Sequence, residues 1–137
     1  MIYFHTEGIR FRVQRSRKIR TWIKNVIQTE GKVAGNINFI FCADEFLAEM
    51  NSRYLHHHTY TDVITFDYSQ DSQTVEGDIY ISVERVADNA EKRHLPFEEE
   101  LHRVMIHGVL HLLGYTDKQP ATRRRMRKKE NECLSML

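Results

Sequence analysis

The segment from His107 to Asp117 holds residue types that bind metal ions, at a spacing that lets them converge. His107 and His111 are four residues apart, so on a helix their imidazoles project from one face, one turn apart. Gly114 permits a sharp turn after such a helix, which would bring Asp117 towards the same ion. Two imidazoles and one carboxylate leave a fourth position for water, as in a catalytic zinc site. We therefore predict one zinc ion (Zn²⁺) per chain, with His107, His111 and Asp117 as its protein ligands.

The residue directly after the first histidine limits the reaction that such a site could catalyse. Metallopeptidases with two histidines at this spacing carry a glutamate there, and that glutamate is the general base. This chain has Gly108 instead, so peptide hydrolysis by the usual route lacks its base. We therefore expect a hydrolase that acts on another substrate, with a metal-bound water as the attacking group. The sequence identifies no further general base.

Hydrophobic patterns along the chain predict alternating strands and helices. Short extended segments are expected at 2–5 and 9–13, strands at 37–42, 62–67 and 79–83, and a polar loop at 69–76. The predicted helices begin at Ser16, Asp44 (as a cap), Val83, Pro96 and Pro120. The expected fold class is α/β (α+β): a small mixed sheet of about four strands with about five helices, one of them a zincin-like metal-binding helix. The order of the strands cannot be read from the sequence.

Length and composition are typical of one globular domain. The chain has 137 residues, 41% of them hydrophobic and 28% charged, so it can bury one core, and we expect a single domain over residues 1–137. No stretch approaches the roughly 20 apolar residues of a membrane-spanning helix, and the first residues lack the pattern of a secretion signal. Cys42 and Cys133 fit neither a disulfide framework nor a metal pair. These features predict a cytoplasmic protein without membrane partners.

The net charge of +1 conceals an uneven distribution of charge along the chain. Residues 1–24 carry seven basic residues against one acid, residues 118–137 carry seven against two, and residues 25–117 carry six against sixteen. Basic flanks around an acidic body are typical of a protein that holds a polyanion near a cation site. A solvated helix surface is the alternative for either flank. In the last predicted helix, the candidates for polyanion contacts are Arg123, Arg124 and Arg127.

Three ordered blocks of the sequence resemble the YbeY endoribonucleases, also called rRNA maturation factors. Residues 51–54 (NSRY) and 61–66 (TDVITF) resemble the family segments N-x-x-Y and T-D-V-L-S-F. Residues 77–79 (GDI) resemble the start of a family strand. Residues 107–115 (HGVLHLLGY) follow the family motif H-G-x-L-H-L-x-G-Y residue for residue. The likeness extends from about residue 40 to residue 117.

The resemblance implies a single-strand-specific, metal-dependent endoribonuclease. It also implies a role in rRNA processing, at the 3′ end of the small-subunit rRNA, and in ribosome quality control. The expected partners are single-stranded RNA, in particular rRNA, and components of the small ribosomal subunit, with no DNA substrate. On this interpretation Arg123, Arg124 and Arg127 contact RNA phosphates, through contacts that are independent of sequence and strongly dependent on salt.

The chain departs from the family pattern at two positions. Asp117 stands where the family usually has a third histidine, which keeps a ligand but changes the charge of the site. Leu55 stands where the family commonly has an arginine that is important for activity. His57 or His58 could supply the missing positive charge or a proton relay, and Asp62 joins His57 as a candidate catalytic residue.

Two further roles stay open from the sequence alone. Asp62 and Asp78 could orient a histidine ligand, or they could make turn and capping hydrogen bonds at the start of a strand. Tyr115 could contact the substrate or pack against the metal-binding turn. For the whole protein, the alternative to an enzyme is a non-catalytic, RNA-binding ribosome assembly factor with a structural metal. The absence of arginine at Leu55 favours that alternative.

Overall fold

The computed structural model describes residues 1–56 and 61–137. Within these ranges the elements are β1 (Ile2–Glu7), α1 (Ser16–Thr29), β2 (Val33–Cys42), α2 (Asp44–Leu55), β3 (Val63–Asp67), β4 (Thr74–Ser82), α3 (Val83–Lys92), α4 (Phe97–Leu112) and α5 (Pro120–Leu134). The expected α/β class, with about four strands and five helices, is confirmed. No helix in the described ranges is both long enough and apolar enough to cross a membrane.

The strands form one mixed sheet with the order β1-β2-β4-β3. β1 and β2 pair in parallel, as do β2 and β4, whereas β3 runs antiparallel to β4. Parallel neighbours need a crossover connection, and α1 lies in the one between β1 and β2. The mixed character of the sheet was expected from the sequence. The strand order is new information, because it depends on pairing between distant segments.

The larger core lies between one face of the sheet and the helices α1, α4 and α5. Alternate residues of β2 point to this side and are fully buried, as are the neighbouring residues Ile79 and Ile81 of β4. The apolar stripe of α1 packs here with the periodicity predicted from the sequence: Ile19, Trp22, Ile23, Val26 and Ile27. α2 covers part of the opposite face, where Leu47 packs with Cys42 and Ile64.

Trp22 joins three helices at one point of the core. Its indole Nε1 donates a hydrogen bond to the carbonyl oxygen of Cys133 in α5, at 2.8 Å, and this contact is buried. The same indole forms a T-shaped contact with the ring of His102 in α4, with 6.0 Å between ring centroids. α1, α4 and α5 are therefore fixed to one another at this side chain.

The segment predicted as extended at residues 9–13 forms no strand of the sheet. Its alternating apolar residues nevertheless pack against the core: Val13 is buried, and the ring of Phe11 lies 4.8 Å from that of Phe41. An alternating pattern reports which side chains are buried, whether or not the backbone has a partner strand. The segment satisfies the pattern without joining the sheet.

Two element boundaries also differ from expectation. β4 begins at Thr74, inside the segment predicted as a loop, because Val75 is buried and pairs with Ala34 of β2. Asp44 is the first residue of α2 rather than its cap, and Ala43 occupies the cap position. The Asp44 carboxylate instead accepts a hydrogen bond from Nη2 of Arg85 at 2.7 Å, which ties α2 to α3.

α4 lies directly on β4 because Gly108 has no side chain. A Cβ atom at this position would lie 2.7 Å from Cγ2 of Ile79, closer than real Cβ contacts allow. The glycine therefore determines how closely the histidine-bearing helix packs on the sheet. It also leaves no room for the glutamate that a metallopeptidase carries at this position, so the steric argument adds to the chemical one against peptide hydrolysis.

Gly108→Ala should lower the free energy of unfolding by about 1 to 3 kcal/mol, because the added methyl group must displace either α4 or Ile79. Chemical denaturation followed by circular dichroism measures the change. Gln28→Ala, at an exposed position of α1, is the control and should change stability by less than about 0.5 kcal/mol. Equal stability of the two variants would contradict the close packing of α4 on β4.

Both cysteines are free and buried, and they should react slowly in the folded protein. Burial raises the pKa of the Cys42 thiol to about 12 and that of Cys133 to about 11. Because the thiolate is the reactive form, iodoacetamide at mildly alkaline pH should modify both residues only after denaturant is added. Mass spectrometry of samples with and without urea measures this. Equally fast modification in both samples would contradict the burial of the thiols.

Candidate metal centre

α4 and the turn that follows it bring three donor atoms together. Nε2 of His107 and Nε2 of His111 are 3.0 Å apart, and Oδ2 of Asp117 lies 3.3 Å from the first and 3.5 Å from the second. Ligand atoms at ordinary zinc distances in a tetrahedral arrangement are about 3.3 Å from one another. The three residues predicted as ligands thus form a possible metal-binding group, and their spacing fits a tetrahedral ion with one further position.

The outer ring nitrogens determine which atoms face the centre of this group. Nδ1 of His111 is 3.1 Å from the carbonyl oxygen of Tyr115, which can only accept a hydrogen bond, so this nitrogen carries the proton. Nδ1 of His107 is 2.6 Å from Oε2 of Glu130, and a carboxylate also accepts. In its neutral form each imidazole therefore turns an unprotonated Nε2 towards Asp117, as metal ligation requires.

Nε2 of His107, Nε2 of His111 and Oδ2 of Asp117 form a triangle of acceptor atoms, and the electrostatic potential at its centre is consequently negative. Two nitrogen lone pairs and one carboxylate oxygen lie within 3.5 Å of one another, and both imidazole protons are on the outer side. Such acceptors repel one another unless a positive charge lies between them. A divalent cation satisfies all three, and the mixed nitrogen and oxygen donors suit zinc among the common ions.

The turn after α4 is held by backbone and side-chain contacts. Gly114 has a φ of 102°, a conformation that other residues rarely adopt, and lets the chain reverse towards Asp117. The amide of Tyr115 donates to the carbonyl oxygen of Leu110 at 3.0 Å. The hydroxyl of Tyr115 donates to Oε1 of Glu30 at 2.7 Å, just after α1. The side chain of Tyr115 therefore anchors the turn, and the carbonyl oxygen of the same residue accepts the hydrogen bond from His111.

Glu130 connects α5 to α4, the helix that carries the two histidines. Its side chain is 6% exposed, and its second oxygen accepts a hydrogen bond from Nη1 of Arg103 at 3.0 Å. Burial raises the pKa of Glu130, but the hydrogen bonds from His107 and Arg103 outweigh it, so the pKa lies below its usual range. The residue therefore stays ionised and can hold the proton of His107 in place.

The two histidines have different acid strengths. Burial lowers the pKa of both. At His107 the carboxylates of Glu130 and Asp117 outweigh burial, and the pKa lies above its usual value. At His111 burial is reinforced by the charge of His107, and the pKa lies below its usual value. The difference arises because only His107 has a carboxylate behind its ring.

Of the two roles left open for Asp62 and Asp78, the structure shows hydrogen bonds to residues other than His107 and His111. Asp62 accepts a hydrogen bond from Nδ2 of Asn89 at 3.3 Å, and Asp78 accepts one from Nδ2 of Asn38 at 3.1 Å within the sheet. Glu130 has the orienting role instead. Asp62 still lines the surface beside His107 and stays a candidate for a catalytic contribution.

A cleft of about 510 Å³ opens onto the three ligands. Leu55 lines it at the position where the family pattern has an arginine, and Lys118 brings a positive charge to its wall. Its further lining residues include Asn51, Thr61, Asp62 and Thr65. His57 and His58 lie outside the described residues.

A second, smaller cleft of about 210 Å³ lies on the Glu130 side of His107. Arg127 lines it with an exposed guanidinium that is 3.8 Å from Glu130, a weak contact that leaves it available to an anion. Arg123 and Arg124 are exposed on α5 outside both clefts, and Arg123 donates to the carbonyl oxygen of Lys118 at 3.2 Å. Of the three arginines predicted to bind RNA, the structure thus places Arg127 beside the metal ligands.

Glu130 is the residue of this site that sequence reasoning missed. Its partner His107 lies 23 residues earlier in the chain, so no local spacing connects the two. One signal was present in the sequence. Met126, Glu130 and Cys133 follow the spacing of a buried helical stripe, and an acid on such a stripe needs a partner.

Comparison with known proteins connects this site to one family. The model of the family described as Endoribonuclease YbeY matches residues 4–137. A protein named Endoribonuclease YbeY from Amoebophilus asiaticus is 52% identical over 130 residues, covering 95% of this chain and 88% of the relative. Another of that name from Flavobacterium psychrophilum is 52% identical over 136 residues, covering 99% of this chain and 96% of the relative. A solution structure of a Thermotoga maritima protein matches with a TM-score of 0.68 and 28% identity, covering 99% of this chain and 88% of that one.

Glu130→Gln should weaken zinc binding by about 10- to 100-fold, because the amide removes the charge that holds the proton on Nδ1 of His107. Competition with a zinc chelator measures the affinity. Glu132→Gln, an exposed acid two residues further along α5, is the matched control and should bind zinc like the unmodified protein. Equal affinity of both variants, with circular dichroism showing both folded, would contradict the role given to Glu130.

Proposed function

This chain belongs to the Endoribonuclease YbeY family, and from that premise we propose that it hydrolyses single-stranded RNA with a zinc ion held by His107, His111 and Asp117. The family makes the protein an endoribonuclease, a hydrolase whose substrate is RNA. The observation that supports the metal-dependent part of the proposal is the triangle of acceptor atoms, with both ring protons directed outwards.

The residues around the triangle have separate tasks. Glu130 and the carbonyl oxygen of Tyr115 hold a ring proton on Nδ1 of each imidazole and keep the two rings correctly turned. The zinc ion, when bound, acts as a Lewis acid towards a phosphoryl oxygen and lowers the pKa of water. Lys118 and Arg127, on the walls of the two clefts, can approach the phosphate from either side of the ligands. Together they supply the positive charge that Leu55 lacks.

Single-strand specificity agrees with the recessed position of the ligands. The side chains of His107 and His111 are 21% and 26% exposed, in clefts that residues of α2, β3, α4 and α5 line. A flexible single strand can bend one phosphodiester into such a site. An RNA duplex holds its phosphates on a stiff helix and cannot do so without unpairing.

The cellular role in this proposal is rRNA processing at the 3′ end of the small-subunit rRNA, together with ribosome quality control. Its partners are rRNA and components of the small ribosomal subunit, in the cytoplasm, with zinc as the native metal. We also propose that residues 1–137 act as one catalytic domain. The resemblance to the family supports these points, and the size and charge of the clefts are compatible with an RNA phosphate.

The test compares zinc content and RNA cleavage in the same samples of unmodified protein, His111→Ala and Asp117→Ala. The unmodified protein should contain about one zinc ion per chain, and both variants should lose it. Cleavage of a single-stranded RNA from the small-subunit rRNA 3′ end should fall at least about 100-fold, because several kcal/mol of transition-state stabilisation are lost. His5→Ala, at an exposed position of β1, is the matched control and should retain zinc and activity.

Other outcomes would favour other functions. RNA binding without cleavage by the zinc-loaded protein would favour the ribosome assembly factor with a structural metal. Full activity after loss of zinc would contradict the metal-dependent mechanism while leaving an endoribonuclease. Equal cleavage of the single strand and of its duplex would contradict single-strand specificity.

A further inference from the structure

A basic groove lies at the start of α1, apart from the metal centre. It encloses about 1050 Å³ between residues 12–25 and the last two residues of the chain. No Asp or Glu of the described residues lines it. Its four cationic lining residues are Arg12, Arg15, Arg17 and Lys18.

These four cationic side chains are exposed and are without ion-pair partners in the part of the chain that the structure describes. Arg93 and Arg103, near the metal centre, differ in this respect, since Arg93 pairs with buried Glu100 and Arg103 with Glu130. The groove is therefore a concentrated positive surface that is open to an anionic partner.

The position of two of these charges is unfavourable for the fold alone. Arg17 and Lys18 lie in the first turn of α1, which contains no acid. The N-terminus of a helix carries a partial positive charge, so acids stabilise it and bases oppose it. An anionic partner in the groove would relieve this repulsion.

We propose that this groove binds the phosphate backbone of RNA whose cleaved segment lies in the metal centre; the inference rests on the function proposed above. Four cations within seven residues match the closely spaced charges of a polyanion. The aromatic residue of the groove, Trp22, is 3% exposed and cannot stack on a base. The groove therefore recognises phosphates and not bases, and its contribution is independent of sequence.

The groove and the metal centre are separate contacts on one strand. The residues that line the groove do not line the two clefts at the ligands. Trp22 contacts His102, which precedes His107 by five residues and His111 by nine on α4. At about 1.5 Å per residue, these separations are about 8 and 14 Å along the helix. A long RNA can occupy both contacts, whereas a very short one occupies the metal centre alone.

The test uses two triple variants that change the net charge equally. The groove variant carries Arg12→Gln, Arg17→Gln and Lys18→Gln, and the control variant carries Lys32→Gln, Arg53→Gln and Lys92→Gln, which lie outside the groove. Fluorescence anisotropy measures binding of a labelled 20-nucleotide oligouridine at several salt concentrations, with a gel to detect cleavage. In about 0.1 M salt the groove variant should bind at least about tenfold more weakly, and its salt slope should fall by about two, since each phosphate contact on a single strand contributes about 0.7. The control should stay within about threefold of the unmodified protein.

Cleavage kinetics give a second measurement. The groove variant should show a raised KM and an unchanged kcat on the 20-nucleotide RNA, and unchanged kinetics on a trinucleotide. Equal weakening of RNA binding by the two triple variants would overturn the proposal, because net charge alone would then explain it. Unchanged RNA binding by the groove variant would also overturn it and would leave an acidic protein surface as the partner.

The proposal and the function it rests on can fail separately. If the unmodified protein binds RNA through the groove but cleaves none, the proposed function fails and the groove assignment holds. If it cleaves RNA and the groove variant binds like the unmodified protein, only the groove assignment fails. Should the triple variant not fold, Arg12→Gln, which precedes α1, against Lys32→Gln provides the same comparison with a salt slope reduced by about 0.7.

Discussion

The location of two protons governs the chemistry of this site. Each imidazole of the candidate metal centre, when neutral, has its proton on Nδ1, because Glu130 and the carbonyl oxygen of Tyr115 can only accept there. Were either proton on Nε2, that ring would donate to Asp117, and the three groups would satisfy one another as an ordinary hydrogen-bonded cluster. With both protons on Nδ1, three acceptor atoms lie close together without a hydrogen atom between them, and a cation would stabilise them. The suitability of this group for a cation therefore depends on Glu130 and the carbonyl oxygen of Tyr115, which lie behind the candidate ligands.

The residues that hydrogen-bond to the outer ring nitrogens are held in place by segments that are far apart in the chain. Glu130 comes from α5 and is held by Arg103 of α4, while Tyr115 is anchored to Glu30 at the end of α1. The close packing of α4 on the sheet at Gly108 sets the position of the ring-bearing face. A buried carboxylate with a cation and an imidazole is costly to disrupt, because each partner that remains is left without compensation. Ligand geometry and folding are therefore coupled.

The sequence predicted interactions between residues that lie close together in the chain and missed those between distant segments. The two histidines, Gly114 and Asp117 lie within eleven residues, so helix and turn geometry alone indicated their convergence. Glu130 escaped prediction because its partner is 23 residues away and only its place on a buried stripe marked it. For the same reason, periodicity identified the helices and most strands but not the strand order. It also could not tell whether the extended segment at 9–13 joins the sheet, because burial and pairing produce the same alternation.

The contact between Trp22 and α5 gives the protein an intrinsic fluorescence probe. The chain has a single tryptophan, and its indole is bonded to the Cys133 carbonyl, one turn beyond Glu130. Any motion that lifts the end of α5 from α1 exposes this indole to water and removes its hydrogen bond. Emission from one fluorophore therefore reports the docking of the helix that orients His107, and it does so without any added label.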